Sequence, residues 1–194
     1  VKLAVSMINI NEGSVKSTIA FYNYGTVGQN EIDHCVGVNN YDDMVIPEME
    51  FTSNDRMGAF GDTKAVIFEG AQKPQAIAEI PMDEKTKSIF YNEHYIGIVT
   101  GNEDEAVTNH LAVYDENGKL VMEKDFGLDY SSIEFLTNNE ICIRNANVCD
   151  IYTVHGVYKF HHGFEEELFE IIPGKLKLNY TLVLKDTTQR IRLK

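Results

Sequence analysis

Residues 132–160, SIEFLTNNEICIRNANVCDIYTVHGVYKF, decide the fold of this 194-residue chain. The stretch contains four short runs rich in apolar, β-branched and aromatic residues, and residues that favour turns separate each run from the next. Such runs between turn signals are typical of short antiparallel strands. We therefore interpret residues 132–160 as one unit of four strands, with which the rest of the chain can be compared.

The second strand of this unit places a small residue between two larger apolar ones, in Ile141-Cys142-Ile143. The same arrangement recurs along the chain at intervals of 39 to 54 residues. The small or central residues of these copies are Ala4, Gly58, Gly97 and, in a poorer match, Thr181. A period near 40 with four strands in each period is typical of the blades of a β-propeller.

Aromatic residues repeat in a second register. One set ends the third strand of each unit and another set precedes the second strand by six residues. The first set is Phe21, Phe68, Tyr114 and Tyr152, and the second is Phe51, Phe90 and Phe135. Since three features recur in one order, the sequence predicts an all-β, WD40- or quinoprotein-like propeller segment of about four to five four-stranded blades.

The repeat predicts a single propeller domain or fragment over residues 1–194. Its units are residues 1–47, 48–87, 88–131, 132–169 and 170–194. The first unit lacks its innermost strand and the last lacks its outermost. Because unpaired sheet edges invite pairing, we expect either an open arc or closure through a second copy of the chain.

The small central residue of the second strand has a predicted packing role. We expect this strand to lie near the crowded propeller axis, where a Gly, Ala or Cys lets neighbouring sheets approach. On this interpretation Gly97→Leu overpacks the site and destabilises the fold by about 1–3 kcal/mol. Cys142 occupies the same position and is interpreted as a spacer between blades.

Charge and composition exclude several classes of protein. The formal net charge is -13, from 30 acidic and 17 basic residues. Such a surface repels phosphate backbones and anionic lipids, so we expect neither nucleic-acid binding nor direct membrane contact by this segment. The three cysteines, Cys35, Cys142 and Cys149, have no CxxC spacing and predict neither a disulfide framework nor a zinc site.

The densest set of possible metal ligands is His161-His162 with Glu165, Glu166 and Glu167. The spacing differs from the zincin motif, which needs two His four residues apart on one helical face. We interpret it as an exposed polar loop. The acidic run 102–105 could bind calcium weakly but is interpreted as a solvated loop tip, and Asp115-Glu116-Asn117-Gly118 as a hairpin turn.

No catalytic, cofactor-binding or metal-binding residue is predicted, and the binding residues stay unassigned. The chain has no nucleophile elbow and no Cys–His arrangement that can be recognised from sequence. Glu140, Asp129 and Asp150 lie near predicted strand ends and receive no role.

Several stretches resemble an uncharacterised family of propeller-like proteins from Gram-positive anaerobes with clostridial relatives, a domain of unknown function. They are AFYNYGTVGQNEIDHCVG, FTSNDRMGAFGD, KSIFYNEHYIGIV, VYDENGKLV, NEICIRNANVCDIYTVHGVYKF and the closing EIIPG, YTLVLKD and RIRLK. The resemblance covers the C-terminal part of the family's usual length. It implies an extracytoplasmic domain that an N-terminal membrane-spanning helix, absent from this sequence, anchors to the membrane. The family has no assigned activity and no functional residues to carry over.

These observations leave three functional hypotheses open. The first is a non-enzymatic interaction or sensing module that binds a protein or peptide through its loops. The second is a glycan-binding protein or cell-wall glycan-processing enzyme with carboxylates at the propeller axis, which requires at least one raised carboxyl pKa. The third is a structural spacer without a ligand.

Overall fold

The computed structural model describes residues 3–24, 32–102 and 108–193. These residues form eighteen strands and no helix, arranged in five small antiparallel sheets. The predicted all-β fold of repeated sheets with incomplete ends is therefore confirmed.

Each sheet is a meander of strands that follow one another in the chain. The first sheet contains β1 (Leu3–Asn11), β2 (Ser14–Tyr24) and β3 (Ile32–Asp42). The second contains β4 (Glu48–Phe51), β5 (Arg56–Phe60), β6 (Lys64–Glu69) and β7 (Gln75–Pro81). The third contains β8 (Thr86–Tyr91), β9 (Tyr95–Asn102), β10 (Thr108–Asp115) and β11 (Leu120–Phe126).

The fourth sheet is the stretch that decides the fold, and it contains β12 (Ser132–Phe135), β13 (Ile141–Asn145), β14 (Val148–Tyr152) and β15 (Tyr158–Gly163). The fifth contains β16 (Leu168–Pro173), β17 (Asn179–Leu184) and β18 (Thr188–Arg192). β16 begins two residues before the predicted start of the last unit at residue 170. Residues 164–167, which lead from β15 into β16, form a loop.

The chain divides into two compact units. One consists of residues 1–84 with 116–118, and the other of residues 85–115 with 119–194. The single domain predicted over residues 1–194 stays a prediction.

Within the first unit, the first two sheets share a core of Ile, Phe, Met, Ala and Val side chains. Ser17 is a polar exception at 0% exposure. Its hydroxyl donates to the Met44 carbonyl at 2.7 Å and accepts from the Ile46 amide at 3.1 Å. The hydroxyl therefore satisfies both backbone groups of the segment that connects the two sheets. The buried core residues are Ile19, Phe21, Met44, Ile46, Met57, Ala59, Val66 and Phe68.

Within the second unit, the fourth sheet is covered on both faces. One face packs against the third sheet and the other against the fifth, because successive residues of a strand point to opposite sides. The cluster with the third sheet includes Ile141, Ile143 and Tyr152. The cluster with the fifth includes the intervening residues Cys142 and Ile151.

A β-bulge recurs at one place in four sheets. It lies between the last two strands of each of the first four sheets, beside the repeated aromatic residue, and leaves one residue of the last strand without an opposite partner. These extra residues are Val36, Ile77, Val121 and Lys159. Because a bulge bends a strand and redirects its side chain, the repeat fixes the direction of each of these residues. Among these four extra residues, only Lys159 of the fourth sheet is charged.

The small residue at Gly97 is required, but the predicted cause was wrong. Gly97 lies directly opposite Phe90 of the same sheet, and a Cβ atom on Gly97 would overlap the Phe90 ring. A Cβ on Gly58 would likewise meet the ring of Phe60 on its own strand. These two glycines make room for an aromatic ring within their own sheet and not for the approach of a neighbouring sheet.

Candidate functional site

The structure separates His161 from His162. His161 Nδ1 lies 2.6 Å from Asp150 Oδ1, its cross-strand neighbour. The ring of His162 points to the other face of β15, where it stacks on Phe160 and meets Phe164 edge-on. No three or more His, Cys, Asp and Glu side chains are grouped to hold a metal ion among residues 3–24, 32–102 and 108–193.

His162 lines a cavity of about 390 Å³ between the fourth and fifth sheets, which we call the acidic cleft. Glu165 and Glu166 lie on its wall, and the Glu166 carboxylate accepts long hydrogen bonds from the Asp186 amide at 3.4 Å and the Thr187 hydroxyl at 3.5 Å. The remaining lining residues are Gly163, Phe164, Leu184 and Gln189. The predicted polar loop is limited to residues 164–167, and the prediction was wrong for His161 and His162, which lie in strand β15. His162, Glu165 and Glu166 thus contribute aromatic and carboxylate groups to the cleft.

A second cavity of the same unit, about 360 Å³, is formed by loops at the ends of β8 and β12, and we call it the loop pocket. Asn92 joins the two loops: its Nδ2 donates to Asn139 Oδ1 at 2.8 Å, and its Oδ1 accepts from the amides of His94 and Tyr95 at 2.9 Å. The pocket is lined by Asn92, Glu93, His94, Phe135, Leu136, Thr137 and Asn139. These bonds hold the pocket walls in one arrangement.

Phe135 and Leu136 are the apolar lining of the loop pocket, and further aromatic rings support Phe135. Phe135 packs against Phe90 with ring centroids 4.5 Å apart and against Tyr95 at 5.9 Å. Glu93, His94 and Thr137 are exposed at its edge. An apolar lining with polar groups at the rim can hold an apolar side chain while hydrogen-bonding groups contact the backbone beside it.

Glu140, Lys159 and Tyr180 form a closed network between the fourth and fifth sheets, in which Glu140 and Tyr180 are buried and Lys159 is partly exposed. Lys159 Nζ donates to Glu140 Oε1 and contacts the Tyr180 hydroxyl at 3.0 Å, and that hydroxyl donates to Glu140 Oε2 at 2.6 Å. Burial alone would raise the pKa of Glu140, but the hydrogen bonds from Lys159 and Tyr180 outweigh it and hold this pKa below its usual value. Burial would lower the pKa of Lys159, but its bond to Glu140 raises it.

Arg144 forms a second link between these sheets. Its guanidinium pairs with Glu134 at 2.8 Å and donates to the carbonyls of Leu168 and Phe169 at the start of the fifth sheet. Arg144 Nε is buried without a hydrogen-bond partner. The guanidinium is therefore committed to holding β16 in place and is closed to an incoming ligand.

The two cysteines of the fourth sheet are free thiols inside the core. Burial raises the pKa of Cys142, and it raises that of Cys149 to about 12. Both thiols are therefore protonated at neutral pH and poor nucleophiles. Cys35 is exposed.

The structure also accounts for the two segments that the sequence analysis considered as possible calcium sites. Asp115 Oδ1 accepts from the Lys119 amide at 2.9 Å, and Gly118 has a φ of 75°, so this segment is a hairpin turn as predicted. Residues 103–105 of the acidic run lie outside the described residues. The glycan-enzyme hypothesis requires a carboxyl with a raised pKa, whereas the pKa of Glu140 is lowered.

Lys159 and Tyr180 were missed by the sequence reasoning, although a signal for each exists. Lys159 stands at the bulge position that is apolar in the other sheets, and Tyr180 stands at the position of Ile141 in its repeat. A polar group at a repeat position that is otherwise apolar could have revealed the network.

A profile described as a family of unknown function (DUF5711) matches residues 1–193. The chain belongs to this family. No match was found among the curated proteins. The family has no established function, so membership assigns no activity to this chain.

Solved structures of propeller-like proteins superpose on this DUF5711 chain. Kluyveromyces marxianus Hsv2 superposes with a TM-score of 0.54 at 9% identity, over 92% of this chain and 56% of Hsv2. A eukaryotic initiation factor superposes with a TM-score of 0.51 at 10% identity, over 100% of this chain and 50% of that one. The DUF5711 chain spans about half the length of these neighbours. No helix in its described ranges is long and apolar enough to cross a membrane.

Proposed function

We propose that this chain is a non-enzymatic interaction or sensing module that binds a protein or peptide at the loop pocket. The observation that carries the proposal is the pre-formed pocket between loops 92–94 and 136–139, which Phe135 and Leu136 line with apolar surface and which has polar edges. Its volume of about 360 Å³ suits one or two side chains of a partner. The Asn92–Asn139 bond fixes the walls before binding, which lowers the entropy lost on association.

Two further observations support binding over catalysis. Glu140 is fully engaged by Lys159 and Tyr180, and Arg144 is engaged by Glu134 and backbone carbonyls. Groups held this way are structural, since a catalytic acid or base must be free to exchange a proton with substrate. The net charge of -13 supports a protein partner over a nucleic acid or an anionic membrane.

A display experiment tests the loop pocket. Random 12-residue peptides displayed on phage are selected against the chain, and the enriched peptides are synthesised. We expect Thr137→Trp, which fills the pocket, to weaken their binding by about tenfold or more, equal to about 1.4 kcal/mol. The matched control Thr63→Trp, an exposed threonine of the first unit, should bind as the wild type does.

The outcome that overturns this assignment is equal binding of the enriched peptides to Thr137→Trp and wild type, or no enrichment over an unrelated domain. Circular dichroism and thermal melting of both variants establish that each is folded, so that lost binding reports the pocket.

We propose that the module acts outside the cytoplasm, anchored through a helix of a longer protein. The support is the sequence resemblance, which implies a membrane-spanning helix that precedes the propeller in the longer protein. Alkaline phosphatase fused after residue 194 in the longer protein should be active in the cell envelope. Activity only in a cytoplasmic reporter would contradict this location. Association of copies through open sheet edges stays a prediction.

A further inference from the structure

The hairpin of β1 and β2 exposes apolar side chains. Its strands have nine and eleven residues, whereas the corresponding strands of the second, fourth and fifth sheets have five or six. Ile8 and Ile10 lie on the extended part and are 41% and 72% exposed. They stand opposite Ser17 and Val15, so they point to the side on which Ser17 contacts the connection to the second sheet. Neighbouring exposed apolar side chains are typical of a surface that binds another molecule.

This apolar surface borders a cavity of about 350 Å³, which we call the hairpin cleft. It lies within the first unit, between the tip of the hairpin and the segments that contain Asp43 and Asp62. Ile10, Val15 and Val45 provide its apolar wall. Asp43 and Asp62 also line the cleft and are exposed. The cleft therefore combines an apolar wall with carboxylates.

Backbone hydrogen bonds hold the walls of the hairpin cleft together. The Asp43 amide donates to the Val15 carbonyl at 2.7 Å, and the Asp62 amide donates to the Val45 carbonyl at 3.1 Å. Asp62 Oδ1 accepts from the Val45 amide at 3.0 Å. The walls are thus arranged before a ligand arrives, which reduces the entropy lost on binding.

The lysines beside the hairpin cleft are paired with other carboxylates. Lys16, next to Val15, pairs with Asp42 at 3.4 Å. Lys64, two residues after Asp62, pairs with Glu79 at 2.8 Å. The cleft is therefore negatively charged and complementary to a basic side chain. The aliphatic stem of Lys or Arg can lie along an apolar wall while its charged end reaches carboxylates.

The hairpin cleft lies beyond the reach of a strand paired with β1. The first strands of the second, third and fourth sheets extend no more than three residues past the small central residue of the second strand. Counted from Ala4, this limit in β1 is Met7. A strand paired with β1 in the same register would therefore leave Ile10 and the cleft open.

A second copy of the chain is a poor occupant of this surface. Two copies with a net charge of -13 repel each other, and the carboxylates at the hairpin cleft add to this repulsion locally. Charge therefore selects a different partner that carries basic residues beside apolar ones.

We propose that the hairpin cleft binds an extended segment of a partner protein that carries a lysine or arginine, with an apolar residue two positions away. The stem of the basic side chain lies along Val15 and Val45, and its charge lies near Asp43 and Asp62. Residues two positions apart share one face of an extended chain, so the apolar residue can cover the exposed isoleucines of β1. This site is separate from the loop pocket and does not depend on it.

Two acetylated peptide amides test the hairpin cleft. One is Leu-Ser-Arg-Ser-Leu, and in the other citrulline replaces arginine, which keeps the shape and removes the charge. NMR titration of the isotope-labelled chain at physiological ionic strength should give a preference of about two- to thirtyfold for the arginine peptide, from two exposed ion pairs. The amide resonances of Gly13 and Val45 should shift, because both residues border the cleft.

Matched variants separate the hairpin cleft from the overall field of an acidic chain. The double variant Asp43→Asn with Asp62→Asn should abolish the preference for arginine. The control double variant Glu50→Gln with Asp55→Asn removes the same charge from exposed positions of the same unit and should keep the preference. Thr137→Trp in the loop pocket should leave it unchanged.

A second pair of variants tests the apolar contact. Ile10→Ser should weaken both peptides by about threefold or more, because the contact with leucine does not depend on charge. Val38→Ser is the control, since Val38 is 54% exposed on the opposite face of the same sheet. Circular dichroism establishes that every variant is folded.

Three outcomes overturn the proposal. They are equal affinity for the two peptides, a preference that survives in the Asp43 and Asp62 double variant, and unchanged binding in Ile10→Ser. Sedimentation without peptide provides the remaining arm: a dimer that Ile10→Ser dissociates would assign this surface to a second copy instead.

Discussion

The Tyr180 hydroxyl donates a 2.6 Å hydrogen bond to Glu140 Oε2 and thereby joins the fifth sheet to the fourth. Lys159 closes the triangle from the bulge of β15 and neutralises the carboxylate. Glu140 is only 9% exposed, so hydrogen bonds from Lys159 and Tyr180, and not from water, stabilise its negative charge. The contact between these sheets therefore includes a polar network beside its apolar cluster.

Lys159→Met should destabilise the chain by about 3 kcal/mol, because it leaves the Glu140 carboxylate buried without its cation. Urea denaturation followed by circular dichroism measures the change. Lys175→Met, an exposed lysine of the β16–β17 loop, is the control and should change stability by less than about 0.5 kcal/mol. In a Glu140→Gln background the Lys159→Met penalty should shrink, and an equal penalty in both backgrounds would contradict the pairing.

The lowered pKa of Glu140 predicts a specific acid sensitivity. A carboxyl whose pKa is lower in the folded chain contributes stability above its unfolded pKa, ordinarily 4.5, and that contribution is lost as pH falls through the folded value. The free energy of unfolding of wild type should therefore fall more steeply than that of Glu140→Gln below about pH 5. Parallel curves for the two proteins over this range would disprove the assignment.

Gly97→Ala should destabilise the chain by about 1–3 kcal/mol, because its Cβ overlaps the Phe90 ring. The ring cannot swing away, since it packs against Phe135 with centroids 4.5 Å apart. Gly127→Ala is the matched control, because a Cβ there meets nothing within 4 Å. In a Phe90→Leu background the penalty at Gly97 should fall. Denaturant midpoints of the four proteins measure this coupling.

Ser17→Ala should cost about 1–3 kcal/mol in the first unit, since it leaves the Met44 carbonyl and the Ile46 amide buried without the hydroxyl that serves both. Lys16→Ala on the same strand removes only a surface ion pair and should change stability by less than about 1 kcal/mol. Thermal unfolding of the two variants compares these costs. Similar melting temperatures for both would argue against the role of Ser17.

The burial of Cys142 and Cys149 predicts selective thiol chemistry. In the native chain, Ellman's reagent should modify Cys35 rapidly and the other two cysteines only at the rate of local opening. Denaturation should expose all three. A Cys35→Ser variant should lose the fast reaction, and a remaining fast thiol in that variant would contradict the burial of the fourth-sheet cysteines.

The sequence predicts the strands well because their signals are local. Alternation, small central residues and turn chemistry all lie within windows of a few residues, and the spacing of Cys142, Gly97 and Gly58 shows that one unit recurs. The hairpin at Asp115–Gly118 and the loop before β16 follow from the same short-range rules.

The tertiary structure alone decides which side chains meet. Glu140, Lys159 and Tyr180 come from different parts of two sheets, and the bulge of β15 and the packing of the sheets bring them together. Gly97 was predicted to be small for the wrong reason, because only the register shows that Phe90 lies opposite it. Strand pattern is set by neighbours in the chain, whereas register, bulges and sheet packing are set by contacts between distant residues. The sequence by itself therefore determined the repeated sheets, and the folded chain determined the polar network and the pockets.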